Sequence, residues 1–205
     1  MHLFSMLASA FALLSSAIAS TSYRDPDTGL TFASDQVSYK VNQYITFRFA
    51  VPSSVPSFSG FDTVIQVVAP NEIGWVGIAW NNRMVYGPLT VAWNNGNSAV
   101  VSSRWTTSYS APSYDTAHSQ LQLISSGTKR SGTHWQYTAK CSGCTSFISQ
   151  NNWNVTLSAN GSNRLAFAWS PQKPASTSPS GTINPHNGFG YFNSDFSQGQ
   201  NANLE

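Results

Sequence analysis

Charge is what this chain has least of. Only 9% of its 205 residues are Asp, Glu, Lys or Arg, and ten basic against eight acidic side chains leave a net charge of +2. The lysines and arginines are scattered, so neither nucleic acid nor an anionic membrane is an expected partner. The few carboxylates sit mostly in turns and are a poor basis for the apposed acids of glycoside hydrolysis; Asp25 and Asp27 flank Pro26 and read as a turn. Cysteine is nearly absent, with Cys141 and Cys144 in KCSGCTS the only pair. Zinc would need a second ligand pair, a thioredoxin-like redox centre a βαβ setting, and covalent c-type haem attachment a His where Thr145 stands. Beyond residue 19 no apolar run is long enough to cross a bilayer.

What is present begins with an apolar leader. LFSMLASAFALLSSAIA, closing on Ala17-Ile18-Ala19, fits the h-region and A-x-A cleavage site of a secretory signal, although no Lys or Arg precedes it. A membrane anchor is the alternative, disfavoured by the short run and the lack of a charged stop-transfer flank. We therefore expect residues 1–19 to be removed, residues 20–205 to form one domain, and the product to be secreted and extracellular. An oxidising compartment favours a disulfide between Cys141 and Cys144. Asn154-Val-Thr156 and Asn160-Gly-Ser162 are N-glycosylation sequons.

The dominant period is two. YITFRFAV sets Ile45, Phe47 and Phe49 against Thr46 and Arg48, and WNVTLSA sets Trp153, Val155 and Leu157 against Asn154 and Thr156, turning the sequon outward. FDTVIQVV, GWVGIAW, LTVAW, SAVVSSRW, SQLQLIS, THWQYTAK and RLAFAWS read as further strands, divided by turn-rich pieces such as WNNGNS and SSGTKRSG. No amphipathic helix and no repeat is evident after the leader. The pattern predicts an all-β, antiparallel β-sandwich, with a long Pro- and Ser-rich surface loop over residues 170–185 leading into HNGFGYF.

Three methionines occur in the chain, and only Met84 lies beyond the leader. Its loop, WNNRMVYGP, is polar, so its thioether is a stray core anchor, an oxidation-prone surface group or a soft metal ligand. Three histidines follow the leader. His134 falls in a strand, opposite Trp135 and Tyr137; His118 enters a strand from a polar loop; His186 sits between the Pro-rich loop and a Gly-Phe-Gly turn, where rigid backbone can aim it. A loop Met and a loop His amid abundant aromatics suit a non-covalent haem with both axial positions filled, an arrangement for carrying electrons rather than activating oxygen. Gap-filling Met and hydrogen-bonded His are the alternative.

The motifs YRDPDTGLTF, GWVGIAWNNRM, LTVAWNNGN, SSRWTTSY, THWQYTAKCSGCT and HNGFGYF, in this order from about Tyr23 to Phe196, resemble the cytochrome domain of fungal cellobiose dehydrogenase. The resemblance implies an immunoglobulin-like β-sandwich holding one haem b. Met84 and His186 fall where that family has its axial ligands, Tyr109 where a tyrosine hydrogen-bonds a haem propionate, and Cys141 and Cys144 where it has a disulfide. It also implies single-electron relay, from an extracellular flavin-dependent sugar dehydrogenase to a lytic polysaccharide monooxygenase, by a monomer.

The chain departs from that pattern in places. No G-x-G-x-x-G fingerprint occurs, so sugar oxidation is not expected of these residues themselves, whether the chain stands alone or belongs to something longer. VYGPL follows Met84 in place of small polar residues, which bears on haem exposure. The rival reading is a carbohydrate-binding β-sandwich without redox activity, built on exposed aromatics. A copper polysaccharide monooxygenase would need His at the processed N-terminus, where Ser20 is expected.

Overall fold

The computed structural model describes residues 19–204; the leader, apart from Ala19, lies outside the described residues. Numbered in chain order, strands β1 (Thr21–Arg24), β2 (Thr31–Lys40), β3 (Gln43–Pro52), β4 (Thr63–Pro70), β9 (Gln120–Leu123), β10 (Lys129–Arg130), β11 (His134–Ser142) and β16 (Gln200–Asn201) form one sheet. Its main path runs β1-β2-β3-β4-β11-β10, with β9 on β11 and β16 beside β3. The second sheet runs β15 (Gly188–Asp195), β14 (Ser162–Ser170), β5 (Trp75–Ala79), β6 (Leu89–Asn95), β7 (Ser98–Trp105), β8 (Ser113–Tyr114). β12 (Ser146–Ile148) and β13 (Asn154–Thr156) make a separate ribbon. Every pairing is antiparallel except the two-residue one between β16 and β3. Among the described residues no helix is long and apolar enough to cross a membrane.

Alternation builds the core. On β3, Ile45, Phe47 and Phe49 are buried while Thr46 and Arg48 stay half-exposed. Phe47 stacks on Phe192 of β15 at 5.2 Å, and Phe49 meets Trp80 edge-on at 5.6 Å, so aromatic side chains join the two sheets. Burying each of these rings contributes about 1.5–3 kcal/mol. The Cys141–Cys144 disulfide is fully buried in the same cluster.

The second sheet differs. β5 is buried at all five positions and β6 at six of seven, so both faces of an antiparallel sheet are covered, where one wet face is the usual arrangement. Val76, Ile78 and Ala92 face the sandwich core. Their neighbours Trp75, Val91 and Trp93 pack with Ile183 on the other side, and Ala79, Leu89 and Ala166 with Met84. Long loops, not a third sheet, cover that outer face.

Three local expectations change. Trp153 is 71% exposed rather than aligned with Val155, which packs against the core, because β13 begins only at Asn154 and Trp153 closes the 3-10 turn before it, its amide bonded back to Gln150 O. The Gly-Phe-Gly segment is no turn but the start of β15, paired along its length with β14. β2 is a ten-residue strand that the TFASDQVSYK sequence, with Asp and Gln among its apolar residues, did not reveal.

Candidate cofactor site

The outer face of the second sheet carries a cavity of about 560 Å³. Its floor follows from register: Gly77 pairs with Ala168, and Ala79 with Ala166. Directly paired residues share a face, so four of the smallest side chains lie together and leave flat space above the strands. Leu89 and Val91 extend the apolar surface on β6, while Phe189 and Tyr191, 64% and 54% exposed, stand at its β15 side. Arg83 is the only permanently charged residue among the described ones that line the cavity.

Three loops close over this floor, and each brings one of the expected site residues. Residues 80–88 carry Met84. Its conformation is fixed at both ends: Trp80 donates its amide to Pro88 O at 3.1 Å, and the Asn81 carboxamide donates to Tyr86 O at 2.9 Å and to Ser149 Oγ at 2.8 Å. Asn82 and Tyr86 adopt left-handed backbone (φ 49° and 57°), which is uncommon without glycine and is held here by those bonds. Met84 itself is half-buried against Ala79, Leu89 and Ala166.

Residues 106–112 carry Tyr109, 81% exposed at the rim. Residues 171–187 carry His186, whose imidazole is exposed and lies edge-on to Phe189 at 5.4 Å. The neighbouring Asn187 anchors it to the sheet, its amide donating to Trp169 O at 2.8 Å and its side-chain oxygen accepting from Ser170 Oγ at 2.7 Å. Met84, Tyr109 and His186, scattered in the sequence, therefore line one cavity.

The other residues singled out in the sequence lie elsewhere. His134 opens β11, exposed, its Nδ1 2.9 Å from Thr133 Oγ1. His118 stacks on Trp105 at 3.8 Å and bonds Asp115 at 2.9 Å. Asp25 accepts from the Thr28 amide and hydroxyl at 3.0 and 2.7 Å, which makes it the turn residue expected. Asn154 and Asn160 are exposed, away from the cavity. The disulfide lies behind the sheet, with Cys144 Sγ 4.0 Å from Thr90 Oγ1.

Among the described residues no three His, Cys, Asp or Glu side chains converge. The donors this cavity offers are a thioether and an imidazole, over an apolar floor with room for a flat group. That set suits a metal already held in a macrocycle better than a bare ion, which takes several hard or anionic ligands from the protein. Sequence reasoning missed the floor and Arg104, a buried residue of β7 that reaches carbonyls of two of the loops. The floor had a signal, the Gly and Ala residues at alternate positions of GWVGIA and LAFA.

The family model for the cytochrome domain of cellobiose dehydrogenase matches residues 23–205. A pyrroloquinoline quinone-dependent pyranose dehydrogenase of Coprinopsis cinerea is 28% identical over 125 residues, 61% of this chain and 16% of that protein. This chain thus aligns with only a small part of that relative's length. Among solved structures, the cytochrome b domain of pyranose dehydrogenase from Coprinopsis cinerea superposes with a TM-score of 0.74 at 22% identity, covering 90% of this chain and 91% of its own. The cytochrome domain of Myriococcum thermophilum cellobiose dehydrogenase gives 0.77 at 21% identity, covering 89% and 91%. Both structures share the fold described above.

Proposed function

Because the chain belongs to the family of the cytochrome domain of cellobiose dehydrogenase, we propose that it is a secreted, monomeric b-type cytochrome that relays single electrons, with Met84 and His186 as the axial ligands of its haem iron. The observation that carries this reading is the meeting of Met84 and His186 on one apolar cavity floored by Gly77, Ala79, Ala166 and Ala168. Bound haem would supply one-electron exchange between ferric and ferrous iron.

The chain's own residues define what that exchange can be. The soft Met84 sulfur favours the ferrous state and raises the reduction potential. With Met84 and His186 both committed to the metal, no position is left for oxygen, so the site suits outer-sphere transfer. The apolar walls exclude water and disfavour the extra charge of the ferric form. Tyr109, at the exposed rim, would donate its phenol hydrogen bond to a propionate.

A dehydrogenase is the natural electron source. We take an extracellular flavin-dependent sugar dehydrogenase as the donor, and the pyrroloquinoline quinone dependence named for the Coprinopsis relative puts a quinone-dependent sugar dehydrogenase beside it. The acceptor is a lytic polysaccharide monooxygenase. With a net charge of only +2, docking should depend only mildly on salt. Secretion rests on the leader in residues 1–19, and N-glycans at the exposed Asn154 and Asn160 fit the same compartment.

The test begins with the visible spectrum. Purified protein should show one haem, six-coordinate and low-spin in both oxidation states. Met84→Ala should lower the potential and admit external ligands, and His186→Ala should impair haem retention more. A wild-type spectrum from Met84→Ala would refute the ligand assignment. Stopped-flow mixing with reduced sugar dehydrogenases and with oxidised monooxygenases then tests the relay; no transfer with either panel would refute it.

A further inference from the structure

Arg104 is 4% exposed, and no salt bridge to it forms among the described residues. Burial lowers its tendency to hold a proton, yet a guanidinium stays charged. An isolated buried charge is costly unless hydrogen bonds replace its water. Arg104 finds those bonds on two loops. Its NH1 donates to Pro112 O at 3.3 Å, at the end of the Tyr109 loop. Its NH2 donates to Pro179 O at 2.8 Å and also to Gly181 O, both in the loop that runs on to His186. Its Nε donates to Ser102 Oγ at 2.7 Å, and that hydroxyl donates in turn to Pro179 O.

The geometry has an energetic consequence. Opening either loop alone would strip partners from a buried cation and orphan carbonyls, while the other loop would still hold it in place. Each loop therefore favours the closed position of the other. We propose that Arg104 is a positioning residue that couples the Tyr109 loop to the His186 loop, so that the two close over the cavity together. In the holoprotein, resting on the reading of His186 as an axial ligand, the coupling slows haem loss. Arg rather than Lys is required, because only a planar fork of five donors serves carbonyls on both sides at once.

Two measurements on the whole chain decide this. In Arg104→Lys, hydrogen exchange should speed up in residues 106–112 and in residues 176–183 together, while β6 and β14 keep their protection. Haem transfer to an apoprotein acceptor should quicken, on the order of tenfold or more, as expected for loss of charged hydrogen bonds. Ser102→Ala, a smaller deletion that directly touches only the loop at Pro179, should loosen residues 176–183 and, through the coupling, speed exchange in residues 106–112 to a lesser degree, which keeps the test open if Arg104→Lys does not fold. Loosening of only one loop in either variant, unchanged exchange in both loops, or wild-type haem release from Arg104→Lys would overturn the coupling. If the wild-type protein itself lacks a six-coordinate spectrum, the ligand reading fails instead, and the exchange measurements still decide the loops.

Discussion

Replacing both Cys141 and Cys144 by alanine tests how far the scaffold and the site are separable. The bridge closes a loop between cysteines three positions apart, for which the chain-entropy relation gives about 2 kcal/mol. Deleting two buried sulfurs from the core adds roughly 1 kcal/mol for each small void. The expected loss is therefore about 4 kcal/mol, or about 8–16 °C in Tm for a chain of this size. The haem spectrum should survive. Cys144 contacts Thr90, which pairs with Ile78 on the core side of the sheet, whereas the cavity is lined by Leu89 and Val91 on the other. Differential scanning calorimetry gives the stability, and the Soret band with a redox titration gives the site. Loss of haem at temperatures where the variant remains folded would refute the separation, and would mean that support passes through the β12–β13 ribbon and Ser149 to Asn81.

Other outcomes follow from single side chains. Ala168→Leu should fill the cavity floor, abolishing stoichiometric haem uptake while circular dichroism and the apoprotein melt stay near wild type; undiminished uptake would remove the floor from the site. Asp35→Asn tests a buried acid whose Oδ2 has no partner and whose carboxyl is pushed above its ordinary value by desolvation, against hydrogen bonding from Ser20. Folding thus favours the protonated form, so the contribution of Asp35 to stability is present below the unfolded pKa near 3.8 and is lost as pH rises through the folded pKa. The variant should gain Tm over wild type at pH 7 and lose that gain near pH 3, as thermal melts across that range would show.

Much of the fold was legible because alternation is a local property. Ile45, Phe47 and Phe49 declare a buried face in five residues, and SAVVSSRW coincides with β7. Trp153 departs from the pattern because alternation does not mark where a strand begins: this residue closes the turn before β13, while Val155 within the strand does pack on the core. The site was legible only where residue chemistry is rare, in one methionine and one histidine of suitable context. Arg104 stayed hidden because an arginine at an alternating position ordinarily reads as solvent-facing. Its burial comes from loops that return from residues 112 and 179–181, and sequence periodicity carries no signal of such returns.

β14 serves two interiors at once: Leu165 and Phe167 enter the sandwich core, while Ala166 and Ala168 pave the cavity. Because successive side chains point to opposite faces, a slip of one residue against β5 would exchange the two sets. Phenylalanine would then stand where the cofactor must lie flat, and alanine would leave a void among the core aromatics. Strand pairing here is thus a proofreading step as well as a stabilising one. A misregistered chain cannot hide as a folded but empty protein, since the same error that blocks the cavity also breaks the core.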